Sequence, residues 1–454
     1  MSDEALHDRR RFLRGALSMG AGALLARCVA PRQVVAKGRV RAGGRGLPGV
    51  AVTDGLSVAR ADGEGWFEIP SDARREFLSV TVPAGYGLSG SVRRLTDRPV
   101  VFDLEPAREP DGRHAFLVLA DPQPSNVAQA AMFREMVPDM AATVRPLGVP
   151  AFAMVVGDVV GDAPDLYAAH AESVKGIGAP ALHLAGNHDD ARRMRRFGPE
   201  RYSFDRGAVH YVVLDNVRRR IGGYEGRIGR EQLSWLAADL ACVERGRPVV
   251  LFAHIPLLGT LHERQGISPQ PWNCTADRAA LARLLEPYRT HFVSGHMHEH
   301  EHARAGAVRE HVCAAVCGAW WNGPVNLDGT PNGYSVFEVS GESFRWHHKA
   351  AGSEERMRLY PRGPDGCVVA NVWDWDEAWD VSWSEEGGAG GPMERFTGMD
   401  PLRERMTRER HATGHLFRAR PSQGARRVRV EARDPWGMVH VAEVDPRQPR
   451  FAAS

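Results

Sequence analysis

The sequence contains little cysteine and lysine, and it has no excess of charge of either sign. Six cysteines in 454 residues are too few for a disulfide scaffold, and no Cys-x-x-Cys pair indicates a structural zinc site. Lysine is found only at Lys37, Lys175 and Lys349, so the other basic residues are arginines, spread along the whole chain. Because 58 basic and 56 acidic residues leave a net charge of +2, the composition gives no electrostatic indication of a dedicated nucleic-acid-binding protein. With 43 % hydrophobic and 25 % charged residues it also excludes wholesale disorder, and the length predicts about three domains.

Long hydrophobic runs are also missing. The apolar stretch near the N-terminus, residues 16–26, is shorter than the roughly 20 residues that cross a bilayer. It follows a basic segment, Asp8-Arg9-Arg10-Arg11-Phe12-Leu13-Arg14, which is the layout of an export signal. The Arg-Arg-x-Phe-Leu order resembles a twin-arginine signal, so we expect residues 1–36 to direct export to the periplasm or the cell exterior, with no transmembrane segment beyond this signal. Cleavage after Ala30 or Ala36 stays open, as does a basic amphipathic helix that the protein retains.

Three patterns follow one another after this segment. Residues 37–106 contain short β-like runs separated by Gly and Asp-Gly turns, which predicts an N-terminal β-sandwich domain. Between residues 112 and 346, short apolar runs alternate with helical stretches, a pattern typical of layered α/β structure. Residues 347–454 return to β-like alternation and predict a C-terminal β-rich domain. The predicted fold class is therefore α/β in the centre, with small β-sandwich domains on both sides.

Five apolar runs of the central region each end in side chains that can bind a metal ion. Buried strands expose the groups at their carboxyl ends, and open α/β sheets place ligand sites at that edge. We therefore expect these side chains to meet at one rim. The candidate ligands are Asp121, Gln123, Asp158, Asn187, His254, His296 and His298.

The chemistry of this set favours two divalent metal ions. It consists of oxygen and imidazole donors without a thiolate, which suits Mn²⁺, Fe²⁺ or Zn²⁺. Seven ligands are too many for one tetrahedral ion, but two ions that share a carboxylate would use them all. Such a pair, about 3.5–4 Å apart, can clamp a phosphate and lower the pKa of a bridging water from 15.7 toward about 7. Phosphoester hydrolysis, which is extremely slow without a catalyst, needs this charge neutralisation.

The motifs that carry these residues resemble the calcineurin-like metallophosphoesterase family over roughly residues 114–345. The motifs are Asp121-x-Gln123, Gly157-Asp158, Gly186-Asn187-His188-Asp189, Ala253-His254-Ile255-Pro256 and Gly295-His296-Met297-His298. The resemblance implies a four-layer αββα sandwich in which Asp158 bridges two metals. It assigns Asp121, Gln123 and His298 to one metal, and Asn187, His254 and His296 to the other. His188 is similar to the family's histidine that protonates the leaving group, and a neighbouring carboxylate such as Asp158 or Asp189 would keep it charged.

Two positions depart from the family pattern. Gln123 stands where the first motif usually ends in His, and branches with Asp-x-Gln resemble manganese-using nucleotide-diphosphate phosphodiesterases. This favours Mn²⁺, with Fe or Zn²⁺ as alternatives, and a phosphodiester over a monoester. In the second motif the later acid is shifted to Asp162, which we expect to be a loop residue beside the ligands. The β-rich flanks, together with residues 320–324 and 328–334, resemble a bacterial branch with N-terminal and C-terminal β-domains around the phosphoesterase.

Residues outside the motifs have a structural interpretation beside a functional one. His183 is expected in the core. His300 and His302 continue an alternating His-Glu pattern and predict a solvated strand face, with a third metal as the alternative. Trp320 and Trp321 either line the substrate cleft or pack between domains. We expect Arg218-Arg219-Arg220 to lie in a solvated loop, with attraction of an anionic substrate as the alternative. Cys313 and Cys317 are expected to have a structural role. The core of the last domain is expected to contain Trp373, Trp375, Trp379 and Trp383.

The sequence thus predicts an exported metal-dependent hydrolase. Its substrate would be a phosphoester small molecule or an envelope component, and no nucleic-acid partner is expected. The alternatives are a cell-envelope glycan-binding protein with a vestigial metal site, and a metal-dependent hydrolase of another ester. Since every ligand position holds a suitable donor, the vestigial site is disfavoured. The pattern favours no particular oligomeric state and leaves lipidation at Cys28 open.

Overall fold

The computed structural model describes residues 33–72, 75–96, 98–407 and 410–449. Most of the predicted export segment, including Cys28, lies outside these residues. Residues 33–36 are described and begin the first strand, so the predicted boundary after residue 36 falls inside a strand. None of the helices in the described ranges is both long and apolar enough to cross a membrane.

The N-terminal region consists of short strands. They are β1 (Gln33–Ala42), β2 (Arg45–Gly46), β3 (Ala51–Thr53), β4 (Val58–Arg60), β5 (Trp66–Asp72), β6 (Phe77–Val80), β7 (Val92–Arg94) and β8 (Val100–Asp103). One sheet joins β2, β1, β5 and β8, and the other has the order β4-β3-β6-β7. Residues such as Phe67 and Ile69 alternate with exposed neighbours on β5 and share a core with Val40 and Leu78. The two sheets therefore face each other as predicted for a sandwich.

The central region alternates strands with helices. Its elements in chain order are β9 (Arg113–Leu119), α1 (Val127–Val144), β10 (Ala151–Val156), α2 (Tyr167–Lys175), β11 (Ala181–Leu184), α3 (Ala191–Met194), β12 (Tyr202–Arg206), β13 (Val209–Val213), β14 (Val217–Arg220), β15 (Gly223–Gly226), α4 (Gly229–Leu240), β16 (Pro248–Phe252), α5 (Leu261–Gln265), α6 (Arg278–Leu285), β17 (Arg289–Ser294), β18 (Glu301–Ala305), β19 (Val308–Val312), β20 (Gly333–Ser340) and β21 (Ser343–Ala350). The predicted boundary after residue 346 falls inside β21, which pairs with β20.

Two sheets of this region pack face to face between helices. Their strand orders are β11-β10-β9-β20-β21 and β12-β13-β16-β17-β19-β18. The ring of Phe116 on β9 lies 5.7 Å from those of Tyr211 and Phe252 on the other sheet, so aromatic side chains fill the space between the sheets. The adjacent residue Leu117 points the opposite way and packs with Phe133 of α1. Since helices α4 and α6 cover the outer face of the second sheet, the predicted four-layer αββα sandwich is confirmed.

The C-terminal region again consists mainly of strands. They are β22 (Met357–Tyr360), β23 (Val368–Val372), β24 (Asp380–Glu385), β25 (Gly390–Pro392), β26 (Glu394–Gly398), β27 (Thr413–Ala419), β28 (Val428–Arg433) and β29 (Val439–Val444), with helix α7 (Pro401–Met406) after β26. Two four-stranded sheets have the orders β22-β23-β27-β26 and β25-β24-β28-β29. Trp379 lies in the hydrophobic core between these sheets as expected, and Trp375 and Trp383 are partly buried against that core. Trp373 is also buried, but its ring lies 6.3 Å from that of His348 on β21.

Other structural expectations can be compared with this fold. His183 is buried, and its Nε2 lies 3.1 Å from that of His170, in agreement with a core role. Cys313 and Cys317 are buried free thiols, as are Cys274 and Cys367. Residues 218–220 are exposed as expected, but they do not form a loop, because they belong to β14 and pair with β15.

Candidate metal centre

The candidate ligands follow the carboxyl ends of parallel strands in both central sheets. Strands β9, β10 and β11 are parallel to one another, and so are β16 and β17. Asp121 and Asp158 follow β9 and β10 in the first sheet, whereas His254 and His296 follow β16 and β17 in the second. Because the two sheets pack face to face, these turns meet at one rim, as the sequence predicts.

One group of ligand atoms surrounds His254. Its Nε2 lies 3.0 Å from Oδ1 of Asn187 and 3.5 Å from Oδ2 of Asp158. One ligand atom each from Asp158, His254 and His296 lies within 4.8 Å of the others, and the rings of the two histidines are 4.9 Å apart. This arrangement matches the donors that the sequence assigns to one metal ion.

A second group lies around Asp121. Its Oδ1 is 3.9 Å from Nε2 of His298, and although it is buried it has no hydrogen-bond partner. Burying a carboxylate oxygen without a hydrogen-bond donor is energetically costly, and a bound cation would remove this cost. The side chain of Gln123 is close by, since the buried thiol of Cys317 lies 3.9 Å from its Oε1 and 3.7 Å from Nδ1 of His298.

Main-chain carbonyls fix the orientation of all three histidines. Nδ1 of His254 donates to the carbonyl of Val156 at 2.9 Å, and Nδ1 of His298 donates to that of Gly318 at 2.5 Å. In the neutral form of each ring, Nε2 is then the nitrogen with a free lone pair. His296 is turned the other way, since its Nε2 contacts the carbonyl of Trp272 at 2.8 Å and leaves Nδ1 available. Such carbonyl partners are typical of metal-binding histidines.

Burial and mutual charge set the protonation of these groups. Burial lowers the pKa of His296 to about 3 and that of His298 to about 4, so both imidazoles are neutral near pH 7. Burial raises the pKa of Asp121 to about 7. Burial also disfavours the charged forms of Asp158 and His254, but their attraction outweighs it. The pKa of Asp158 is held well below its usual range, and that of His254 rises to about 9. A divalent cation would replace the proton of His254 as partner of the carboxylates.

The turns that carry the ligands are strained. Asp121, Gln123, Asp158, His296 and His298 all have φ between 43° and 72°. The only other non-glycine residues with positive φ in the described ranges are Asp162, Trp320 and Trp321, which adjoin the same site. Because such conformations persist only where surrounding contacts enforce them, their concentration at one rim marks a functional centre.

Two glycines of the motifs allow the close approach of ligands. A Cβ on Gly186 would lie 2.1 Å from Oδ1 of Asp158, and one on Gly295 would lie 2.5 Å from Oδ2 of Asp121. Any larger residue would displace the carboxylates. Glycine is therefore required at these two positions for steric reasons.

His188 stands at the exposed edge of the rim. Its main-chain N–H donates to Oδ1 of Asp158 at 2.8 Å, and its Nδ1 lies 2.6 Å from Oδ2 of Asp162. The carboxylate in contact with this ring is Asp162 and not one of the two named in the sequence analysis, although Asp158 accepts from the main chain of the same residue. Asp189 is buried and accepts hydrogen bonds from the main-chain N–H of Gly186 and from the hydroxyl of Tyr167 instead. The shifted acid of the second motif, Asp162, is thus the partner of His188.

The structure adds residues that sequence reasoning missed. Arg219 on β14 donates to the carbonyls of Gly186, Asn187 and Asp189, and thus clamps the loop that carries Asn187 and His188. The loop after α5 brings Trp272 to the rim, with 42 % of its surface exposed. Trp272 lies in no recognisable motif, and the arginine run at residues 218–220 stands out in the sequence without indicating that Arg219 clamps this loop.

The two tryptophans with open interpretations differ from each other. Trp320 is 42 % exposed, and its ring lies 4.6 Å from that of His298, so it borders the site. Trp321 is buried and donates its Nε1–H to the carbonyl of Pro122. Trp320 therefore lines the rim, while Trp321 supports the first ligand turn.

Family models of calcineurin-like phosphoesterases match three successive parts of the chain. The N-terminal model matches residues 34–98, the calcineurin-like phosphoesterase model matches residues 114–300, and the C-terminal model matches residues 310–440. This confirms the predicted resemblance, including a catalytic part with family-specific regions on both sides.

Two curated proteins are similar over part of the chain. A cAMP/cGMP dual specificity phosphodiesterase of Mycobacterium tuberculosis is 27 % identical over 150 residues, which cover 31 % of this chain and 45 % of that protein. A protein of Rhodopseudomonas palustris named as a probable cyclic nucleotide phosphodiesterase is 28 % identical over 159 residues, which cover 33 % of this chain and 57 % of that protein. The chain thus spans about half the length of the curated relatives it matches.

Similar solved structures include the purple acid phosphatase PPD1 from yellow lupin seeds. Its sequence is 12 % identical, the superposed part comprises 91 % of this chain and 69 % of that chain, and the TM-score is 0.35. A TM-score this low says nothing about the site. Because models of one family match successive parts that make up most of the sequence, the chain belongs to the calcineurin-like phosphoesterases, a family of hydrolases that act on phosphoester bonds.

Proposed function

We propose that this chain is a dinuclear metal-dependent phosphoesterase that hydrolyses a phosphodiester in preference to a monoester. The observation that carries the proposal is the pair of buried carboxylates, Asp121 and Asp158, facing three imidazoles at the rim where the two central sheets meet. Without cations such a cluster is costly to bury, because Oδ1 of Asp121 has no hydrogen-bond donor. Of the three imidazoles only that of His254 carries a positive charge near pH 7 to balance the two carboxylates.

Each donor has a proposed place at the two ions. Asp158 would be shared, Asp121, Gln123 and His298 would complete one site, and Asn187, His254 and His296 would complete the other. When bound, the two ions would neutralise the phosphate oxygens and supply a hydroxide nucleophile near neutral pH. The carboxylate and amide oxygens favour Mn²⁺, while the imidazoles are also compatible with Fe or Zn²⁺.

His188 is the proposed general acid that protonates the leaving oxygen. Its hydrogen bond to Asp158 holds the main chain beside the ligands, and Asp162 engages Nδ1 of the ring. Nε2 is then the nitrogen that is free to pass a proton to a substrate. This side chain is partly exposed, with 36 % of its surface accessible, as a group that meets a leaving group must be.

Three features support a phosphodiester. Gln123 is the variant of the first motif that resembles phosphodiesterase branches, and both curated relatives are named as phosphodiesterases. Trp320 and Trp272 offer exposed aromatic faces beside the rim. A diester carries an organic group on each side of the phosphorus, and such faces can hold one of them.

The test compares Asp158→Asn and His188→Ala with matched controls in the flanking regions, Asp103→Asn on β8 and His440→Ala on β29. Metal content is measured by mass spectrometry, and hydrolysis is measured with bis-p-nitrophenyl phosphate and with a cyclic nucleotide. Asp158→Asn should lose metal and at least a hundredfold in rate on both substrates. His188→Ala should keep its metal and lose 10²- to 10⁴-fold on the alkyl ester. Its loss on the aryl ester should be smaller, because p-nitrophenolate leaves without a proton.

The outcomes separate the alternatives. Unchanged rates in both variants would discard the assignment, and equal losses of His188→Ala on both substrates would discard its role as the acid. A faster reaction with p-nitrophenyl phosphate than with the diester would overturn the diester preference. A wild-type chain that binds no metal and hydrolyses neither ester would favour the glycan-binding alternative with a vestigial site.

We further propose that residues 1–36 direct export through a twin-arginine route and that the flanking β-sheets form separate domains. Replacing both Arg9 and Arg10 with Lys keeps the charge but removes the paired guanidinium groups. The variant should remain inside the cell, whereas the wild-type chain should be found outside the inner membrane. Equal distribution of both proteins would contradict the export proposal.

A further inference from the structure

A second cluster of metal-type side chains lies between the central and C-terminal regions. His300 precedes β18, His302 lies on it, and Asp374 follows β23 of the C-terminal sheet. One ligand atom from each lies within 4.8 Å of the others. The predicted solvated strand face at His300 and His302 is wrong, because at most 2 % of any of these three side chains is exposed. The C-terminal region covers this face.

Hydrogen bonds within the protein leave part of this cluster unsatisfied. Oδ1 of Asp374 accepts from Nε2 of His300 at 3.0 Å and from the main-chain N–H of His348 at 2.6 Å. Oδ2 of Asp374 and Nε2 of His302 are buried and have no hydrogen-bond partner. Oδ2 of Asp374 is thus a buried acceptor without a donor, and Nε2 of His302, 4.0 Å from Oδ1 of Asp374, becomes a second acceptor when the ring carries its proton on Nδ1. A cation bound by both residues would satisfy these atoms.

A chain of imidazoles orients His302. Its Nδ1 lies 3.1 Å from Nδ1 of His311, whose Nε2 lies 2.9 Å from Nδ1 of His291. If each ring donates one proton to the next, Nε2 of His302 keeps its lone pair. This is the arrangement of a neutral metal ligand whose other nitrogen is held by a fixed partner.

His300 needs one proton to move before it can act as a ligand. The main-chain N–H of Ala314 donates to its Nδ1 at 3.3 Å, so the proton of the neutral ring lies on Nε2, toward Asp374. Binding of a cation at Nε2 would move this proton to Nδ1 and break the bond to Ala314. Because that contact is long, its loss costs little compared with a new metal–nitrogen bond.

A cleft lies beside the cluster, although the three side chains themselves are almost fully buried. The cleft has a volume of about 590 Å³, and its lining includes His302, Arg309, Trp375 and Asp376. Asp376 is already paired with Arg309 at 2.6 Å and is not needed by the cluster. The cleft is the nearest solvent to the cluster, and an ion that enters from it would need a small opening between the central and C-terminal regions.

We propose that His300, His302 and Asp374 bind one divalent cation, most suitably Zn²⁺, that ties the C-terminal sheet to the central sandwich. Two imidazole nitrogens and one carboxylate oxygen are ligands that Zn²⁺ commonly takes, with a fourth position left for water. The ion would have a structural role, since it would join elements that are far apart in the sequence. The proposal is independent of hydrolysis at the rim.

The experiment uses the full chain and counts bound zinc after loading with Zn²⁺ and removal of the excess. In Asp158→Asn/His254→Ala protein, whose rim site is disabled, one equivalent of zinc should remain, and none would overturn the proposal. Adding His302→Gln should abolish that equivalent, whereas adding the matched control Asp376→Asn should keep it. An equivalent retained with His302→Gln would also contradict the site.

A second readout does not depend on a variant of the cluster itself. Co²⁺ bound to the rim-disabled chain should give visible absorption bands from a nitrogen- and oxygen-coordinated ion, and these should vanish with His302→Gln. Zn²⁺ should raise the thermal unfolding midpoint of the rim-disabled chain by several degrees and leave that of its His302→Gln form unchanged. Equal midpoints of the rim-disabled chain with and without zinc would mean a hydrogen-bonded network only and would overturn the structural role.

Discussion

At the scale of single residues, the metal centre depends on how closely main chain and ligands approach. The ligand turns adopt left-handed conformations, and glycines stand where a side chain would collide with a carboxylate. The order of residues within each motif therefore has a steric cause in addition to the chemical one. Substitutions that change neither charge nor ligand type should still disrupt the site.

We expect Gly186→Ala to weaken metal binding more than tenfold while the chain stays folded. Its Cβ would meet Oδ1 and the main-chain nitrogen of Asp158 at 2.1 and 2.3 Å, so the carboxylate or its strand end must shift. Isothermal titration with Mn²⁺ and circular dichroism measure the two effects. Gly424→Ala is the control, because a Cβ there meets nothing within 4 Å. Unaltered affinity in Gly186→Ala would contradict the steric argument.

Metal affinity should depend on pH in two steps. In the metal-free chain the carboxylates hold a proton on His254 up to about pH 9, and burial holds one on Asp121 up to about pH 7. Since the metal must displace these protons, its affinity should fall about tenfold per pH unit from 9 to 7 and about a hundredfold per unit below 7. His296 and His298 should add nothing, because they are neutral throughout this range.

Competition with a coloured chelator between pH 6 and 8.5 measures this dependence. A titration of the His254→Asn variant should lack the hundredfold dependence below pH 7, because only the proton of Asp121 remains to be displaced there. The tenfold dependence that remains should begin at a higher pH, since the charge of His254 lowers the pKa of Asp121 in the wild-type chain. Affinity of the wild-type chain that does not change between pH 7 and 8.5 would show that His254 carries no proton to displace.

At the scale of elements, the hairpin of β14 and β15 supports the loop that carries Asn187 and His188. Arg219 reaches from this hairpin to three carbonyls of the loop, whereas its equally exposed neighbour Arg218 points to the opposite face of the strand. A charged donor that satisfies several carbonyls fixes a loop more firmly than one neutral hydrogen bond does.

We expect Arg219→Gln to lower kcat about tenfold, since the loop would lose a charged hydrogen bond worth about 1.5–3 kcal/mol. The thermal unfolding midpoint should change little, because the loop lies outside the hydrophobic cores. Arg218→Gln serves as the matched control and should leave both quantities unchanged. A loss of rate as large in Arg218→Gln would mean that the positive charge of β14, and not the clamp, matters.

The arrangement of strands and loops also explains which parts of the site could be predicted from the sequence. Asp121, Asp158 and His254 follow apolar runs, and parallel strands bring such positions to one edge, so local patterns suffice. The pairing of Asp162 with His188 depends on the path of a strained loop. Trp272 reaches the rim from a long connection between α5 and α6, where no periodicity exists to be read.

At the scale of the whole molecule, the burial of His300 and His302 shows what local patterns miss. Their strand has an alternating sequence that predicts solvent on one face. The C-terminal sheet covers that face with Asp374, which is distant in sequence. The four-layer sandwich could be predicted because its strands are buried runs, whereas contacts between regions follow from surfaces that no motif encodes. The predicted boundaries after residues 36 and 346 fall inside β1 and β21.

The central claim is that two divalent ions are held at the rim on either side of Asp158. The measurement that tests it most directly is anomalous X-ray scattering from crystals of the full chain grown with Mn²⁺, recorded near the manganese absorption edge. The account predicts two peaks about 3.5–4 Å apart, one near Asp121 and His298 and the other near Asn187 and His254. A single peak, or peaks remote from Asp158, would contradict it.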